Sequence, residues 1–192
     1  TEAYRDLKFS FVDVGGKKLD YCGLLNHVIN GEMRDGEESS PEADFKSGDI
    51  PNLAAAYLTN YLQKRNFGAK YINLFQQEKE KLIGYLAQEP LCVAITTTFY
   101  VVNLPLNEMV EFIRKHNPRV KIVVGGPLIG NHTRNYHGDD LIATLNDIGA
   151  DIYISEGQGE LTLSQLVGCL KDGGDIADVP NLIFFEGGKL CK

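Results

Sequence analysis

Four short stretches gather the residues best able to hold a ligand: Asp13-Val14-Gly15-Gly16, Thr96-Thr97-Thr98-Phe99, Gly125-Gly126-Pro127 and Ser155-Glu156-Gly157-Gln158-Gly159-Glu160. Glycine lacks a Cβ, so a ring or nucleotide can lie directly against the main chain at such positions. The three threonines add hydroxyls that both donate and accept hydrogen bonds. Neither residue type supplies a nucleophile or a general base. The chemistry expected is therefore the holding of a large ligand, and no catalytic residue is assigned.

Several other chemistries are disfavoured by what the spacing lacks. Gly15 and Gly16 are adjacent and no third glycine opens a helix, so the dinucleotide fingerprint G-x-G-x-x-G is missing. Gly187-Gly188-Lys189 lacks the upstream glycine and the following Ser or Thr of a phosphate-cradling P-loop. Cys22, Cys92, Cys169 and Cys191 are too far apart for a C-x-x-C zinc pair or an iron-sulfur loop, and are read as unpaired thiols. His27, His116, His132 and His137 are isolated. His132, read in the loop after Gly126, is the best placed of them for a metal contact, but no metal site is assigned.

Composition sets the class. The chain has 192 residues and a net charge of -7, with 19 basic residues spread without a run, which argues against nucleic acid and anionic membranes as partners. No apolar stretch approaches the roughly 20 residues of a membrane helix, and the polar opening Thr1–Asp6 is unlike a signal peptide. The expectation is a soluble cytoplasmic protein.

Positioning those four stretches requires an alternation of strands and helices. Short runs rich in Val and Ile predict strands near Leu7–Val14, Ala69–Phe75, Leu91–Thr97, Val120–Val124, Asp151–Ser155 and Asn181–Glu186, the last closing the sheet as an edge. Apolar residues three or four apart predict helices near Asn52–Arg65, Gln76–Gln88, Asn107–His116, Asp139–Ile148 and Leu161–Lys171. In the first of these, Leu53, Ala56, Tyr57 and Leu62 share an expected buried stripe. The fold class that follows is α/β: a Rossmann-like, flavodoxin-like open sheet, mostly parallel, of about five or six strands with helices on both faces. One domain spanning 1–192 is expected, with a loop or insertion at 30–50, where acidic residues and glycines show no apolar period. In such a sheet, ligands bind outside the carboxyl ends of the strands, where the four stretches fall.

Three segments together resemble the cobalamin-binding domain that precedes the barrel of radical S-adenosylmethionine enzymes. They are Pro51-Asn52-Leu53-Ala54-Ala55-Ala56-Tyr57-Leu58, Val123-Val124-Gly125-Gly126-Pro127 and Asp151-Ile152-Tyr153-Ile154-Ser155-Glu156-Gly157-Gln158-Gly159-Glu160. In that family the third segment ends in a Gly-Glu-Gly-Glu turn, and Gln158 here replaces its first Glu. Val179–Phe185 followed by Gly187-Gly188-Lys189 looks like the edge strand that ends the domain.

The resemblance implies cobalamin as cofactor, held by Asp13, Gly15, Thr96, Thr97, Thr98, Phe99, Gly125, Gly126, Pro127, Glu156, Gly157, Gln158, Gly159 and Glu160. No D-x-H-x-x-G occurs, so base-off cobalamin without that histidine is implied, with the Thr96–Phe99 turn covering the lower face of cobalt. It also implies a downstream radical barrel as partner, with an iron-sulfur cluster and S-adenosylmethionine residing there. Its C-x-x-x-C-x-x-C is not in this chain, so the chain alone is expected to hold a cofactor for methyl transfer or related radical chemistry and not to start it.

Two other functions fit the fold less well. A degenerate Rossmann-like scaffold without cofactor is favoured slightly by Gln158 and the acidic segment. A phospho-receiver ranks last, because Thr98 and Glu156 stand near where it needs a phosphorylatable Asp and a Lys.

Overall fold

Alternation of Val, Ile and Tyr dictates how the centre of the molecule is built. In the computed structural model, which describes residues 12–19, 23–28 and 51–192, Ile122, Val124 and Tyr153 point to one side of a sheet. Val123, Ile152 and Ile154 point to the other. Both sets are almost wholly buried, so both faces must be covered by helices.

The chain divides into two units, Thr1–Pro51 and Asn52–Lys192. In the first, β1 (Val12–Val14) pairs antiparallel with β2 (Lys17–Leu19), and residues 23–28 form helix α1. Gly15 and Gly16 take φ of +62° and +82°, which turns the chain back within two residues, and the Asp13 carboxylate accepts the Gly16 N–H at 2.8 Å. Val12–Val14 therefore belongs to a hairpin and not to the parallel sheet, correcting the expected first strand. Residues 7–11 and the expected loop at 30–50 lie outside the described residues.

The second unit carries a sheet in the order β3 (Cys92–Thr96), β4 (Lys121–Gly125), β5 (Ile152–Ile154), β6 (Leu182–Glu186), β7 (Lys189–Cys191). β3, β4 and β5 run parallel, while β6 and β7 are antiparallel to their neighbours. One face packs on α3 (Lys79–Leu86), α4 (Leu104–His116), α5 (Pro127–Asn135) and α6 (Gly138–Ile148). The other packs on α2 (Leu53–Gln63) and α7 (Glu160–Asp172). This is the α/β, Rossmann-like architecture with helices on both faces.

Three departures from the sequence reading have local causes. The edge strand is β7 and not β6, because Gly187 and Gly188 at φ +55° and +81° make a second hairpin turn of the kind seen at Gly15-Gly16. Ala69–Phe75 is irregular. Among the described residues no strand pairs with it, and the N–H groups of Asn73 and Leu74 donate instead to the Glu78 carboxylate, while Ile72 and Phe75 anchor the segment to the core. Partial burial works to raise the Glu78 pKa, but the Lys81 hydrogen bond and the two backbone donors outweigh it and hold it below the ordinary carboxylate value. Finally, 127–135 is helix α5 where a loop was expected, since Pro127 suits a first helical position and Leu128 and Ile129 are buried.

At the amino ends of the strands, Asp151 accepts from Arg114 Nη2 and from the Ile122 N–H, both at 2.6 Å. Nearby, the buried Tyr153 hydroxyl donates to the Leu145 carbonyl at 2.5 Å and accepts the Ala150 N–H at 3.0 Å. Burial holds this phenol protonated well above its ordinary range. Tyr153→Phe strands both backbone partners, and we expect a loss of about 1–3 kcal/mol of stability, read as a lower urea midpoint at unchanged slope.

Candidate functional site

The parallel strands β3, β4 and β5 all end at the same edge, and the backbone that leaves them forms a crevice. Thr96 and Thr98 come from β3 and its following turn, Gly125, Gly126 and Pro127 from β4, and Gly157, Gly159 and Glu160 from the turn after β5. Ala54, Tyr57 and Leu58 of α2 close the side, and the buried Val123, Ile154 and Leu163 form an apolar floor. The crevice is open on one side and has a volume of about 220 Å3.

The threonine triplet divides by the alternation of extended backbone. Thr96 and Thr98 place their hydroxyls 2.9 Å apart, exposed at the mouth. Thr97 is 0% exposed: its hydroxyl donates to the Gly125 carbonyl at 3.0 Å and accepts the Leu128 N–H at 3.1 Å, while its own N–H donates to the same carbonyl at 2.9 Å. Thr97 thus brackets two strand ends and does not line the crevice.

Glycine at three positions answers to the protein itself. Gly126 has φ +107°, and a Cβ there would lie 2.9 Å from Thr97 Oγ1 and 3.1 Å from its nitrogen. A Cβ on Gly125 would come within 3.2 Å of Ile154 Cβ, and one on Gly159 within 3.0 Å of Ile154 Cγ2. Gly157 differs, since a Cβ there meets nothing within 4 Å.

The remaining sequence-predicted residues lie elsewhere. Phe99 is 71% exposed on the turn after β3, in a strip with Val101, Val102 and Leu104, and does not line the crevice. Gln158 is exposed at the tip of the β5–α7 turn, and the Glu156 carboxylate is occupied by Thr162 and Asn181. Asp13 and Gly15 sit in the β1–β2 hairpin of the first unit. Sequence reasoning missed Ala54, Tyr57 and Leu58. Tyr57 and Leu53, assigned to a buried stripe, are 57% and 72% exposed, while Leu58 and Leu62 pack with α7. The available signal was that α2 is apolar on more than one face, so that one face is left over.

No group of three or more His, Cys, Asp or Glu that could hold a metal occurs among the described residues. His132 is on α5, its Nε2 2.8 Å from Asn103 Oδ1, and Asn103 Nδ2 donates to Asp147 at 3.1 Å. Because that oxygen can only accept, Nε2 carries the proton, and burial lowers the His132 pKa below 6.5. Cys92 is a partly buried thiol whose pKa is pushed up to about 11 by loss of solvent, which makes it a poor nucleophile.

Comparison with known proteins places this site in context. The family model described as "B12 binding domain" matches residues 46–167, which contain every crevice-lining residue. Two solved structures of the radical S-adenosylmethionine methyltransferase TsrM from Kitasatospora setae are similar, each with a TM-score of 0.58 and 23% identity over 73% of this chain. One holds tryptophan substrate and the analogue aza-SAM, and the other holds cobalamin and a [4Fe-4S] cluster. This chain spans 27% and 25% of those chains, about a quarter of their length, and at that identity the likeness shows a common fold. No curated protein matches the chain.

Two outcomes test this geometry. Gly126→Ala is expected to destabilise by roughly 1–3 kcal/mol through its φ and the clash with Thr97, whereas Gly157→Ala stays within about 0.5 kcal/mol of the parent; paired urea denaturations measure the difference. His132 is expected to titrate below 6.5 by NMR. Its lowered folded pKa means its contribution is complete above the unfolded value of 6.5 and is lost as pH falls toward the folded one, a loss that His132→Gln removes.

Proposed function

The chain belongs to the B12-binding domain family, which its match over more than half the length shows, and from that premise we propose that it is the cobalamin-holding module of a radical S-adenosylmethionine enzyme. The observation that carries this reading is the strand-end crevice: an apolar floor, a mouth of two hydroxyls, and a wall at Gly157 from which no side chain projects.

The fit to cobalamin is partial by size, and informatively so. Small-molecule sites enclose roughly 300–1,000 Å3, and this one is about 220 Å3, so it takes one arm of a large cofactor. The arm with an apolar flat end and a polar linker is the nucleotide arm, whose base suits the Val123, Ile154 and Leu163 floor and whose sugar and phosphate suit the Thr96 and Thr98 hydroxyls. With Thr96, Thr98, Val123, Ile154 and Leu163 holding that arm, the cofactor would be bound base-off. Among the described residues no histidine lines the crevice, and the turn from Thr96 to Phe99, continued by the exposed Val101 and Val102, would cover the lower face of the cofactor. Gly125, Gly126, Pro127, Gly157, Gly159 and Glu160 shape the crevice. Phe99 and Gln158 belong to its surroundings.

When bound, cobalamin supplies cobalt-centred methyl transfer or electron transfer. What this chain's residues contribute is shape, exclusion of water by the apolar floor, and orientation through the hydroxyl pair. A radical barrel carrying the iron-sulfur cluster and S-adenosylmethionine is the proposed partner, and the cytoplasm the proposed setting. A scaffold that keeps the fold without the cofactor is the competing reading. It is favoured by the finding that Gly125, Gly126 and Gly159 are each explained by packing on Thr97 or Ile154.

Desalting of the chain after mixing with hydroxocobalamin separates the two. We expect near-stoichiometric retention by visible absorption, and retention weakened about tenfold or more in Ala54→Phe and Gly157→Phe, which fill the crevice without straining φ. Cobinamide, which lacks the nucleotide arm, is expected to bind as weakly as cobalamin binds those variants. Equal binding of cobinamide and cobalamin would remove the arm from the crevice, and no retention of either would leave the scaffold.

A further inference from the structure

Glu156 opens the β5–α7 turn, yet its carboxylate is directed away from the crevice and both oxygens are engaged. The hydroxyl of Thr162, a residue only 2% exposed on the first turn of α7, donates to Oε1. The Asn181 side-chain amide donates to Oε2 at 3.0 Å. Asn181 is itself pinned, because its carbonyl accepts from the Ser155 N–H at 3.0 Å and the Ser155 hydroxyl at 3.1 Å, and it holds φ +62° just before β6. One carboxylate therefore ties together the end of β5, the start of α7 and the approach to β6.

Between the tied points run Gly157, Gln158 and Gly159, and Gly157, Gly159 and Glu160 line the crevice. Two glycines in five residues leave this wall conformationally free, and the Gly159 contact with Ile154 restrains only one end of it. No side chain caps the α7 N-terminus, since Gly159 stands at that position, so the anchoring of the turn falls to Glu156. The arrangement also holds the Glu156 charge outside the crevice, leaving Glu160 as the carboxylate among the lining residues.

We propose that Glu156 is a positioning residue: clasped by Thr162 and Asn181, it sets the glycine wall of the crevice for cofactor binding and does not touch the cofactor. This rests on the cobalamin-holding reading, and it assigns to Glu156 a role different from the ligand contact that the sequence suggests.

The clasp depends on the two oxygens of Glu156. Glu156→Met keeps the length and removes both acceptors, whereas Glu156→Gln can rebuild both bonds without the charge, its amide oxygen accepting from Asn181 and its NH2 donating to the Thr162 hydroxyl. Two measurements are made on the parent, Glu156→Met and Glu156→Gln: amide hydrogen exchange of residues 157–160 without cofactor, and the affinity for hydroxocobalamin. We expect Glu156→Met to speed exchange in that turn about tenfold and to weaken hydroxocobalamin about tenfold, corresponding to the loss of the clasp, with exchange in β4 unchanged. Glu156→Gln recovers both. Unchanged exchange in Glu156→Met overturns the clasp. Recovered exchange without recovered affinity overturns the positioning role, because the carboxylate then touches the cofactor itself. A parent that retains no hydroxocobalamin overturns the cofactor reading instead, and the exchange result then decides only whether the clasp orders the turn.

Discussion

Thr97 and the Gly125 carbonyl hold together the two strand ends on which the rest of the crevice is built. One oxygen receives the Thr97 N–H and its hydroxyl hydrogen, and that same hydroxyl receives the first free N–H of helix α5. A buried hydroxyl left without partners is unfavourable, so the two bonds fix the side chain and both backbones in one geometry. Gly126 follows necessarily: its nitrogen and carbonyl carry the chain from β4 into α5 through φ +107°, against Thr97, where no Cβ fits. Thr96 and Thr98, the neighbours of the bracket, are by the same alternation turned outward with their hydroxyls at the mouth.

The opposite end of the sheet is fastened by charge and by a phenol. Asp151 receives Arg114 and the Ile122 N–H, and Arg114 also donates to the Val120 carbonyl at 2.7 Å, so α4 and the starts of β4 and β5 share one polar cluster. Tyr153 joins α6 to the start of β5 from inside the core. Between the two fastened ends, hydrocarbon packs both faces of the strands. A crevice floor of Val123, Ile154 and Leu163 is consequently part of the core.

Function then depends on what stands around that floor. The β5–α7 turn is rich in glycine and is ordered by Glu156 from outside, while the β3–α4 turn presents Phe99 and Val101 to solvent and is tethered through Asn103 to His132 and Asp147. Both are loops on a fixed scaffold, the arrangement by which folds of this class change ligands without changing their cores.

By itself the sequence determined the strands at the centre, the helices around them and the edge at which the parallel strands end, because burial on two faces imposes a period that single residues reveal. It also marked Gly125-Gly126-Pro127 and the Gly157–Glu160 turn, because glycine is conspicuous wherever backbone must come close. Tertiary structure decided the rest. Gly15-Gly16 and Gly187-Gly188 read alike with ligand-loop glycines, yet both close hairpins, since a positive φ is not visible until the chain beyond it finds a partner. Ala69–Phe75 has the composition of a strand, but a strand exists only where a neighbour receives its hydrogen bonds, and Glu78 took two of its donors. Whether Thr97 or Glu156 faces a ligand or the protein depends on partners 28 and 25 residues away, and no local pattern encodes a bond made across that distance.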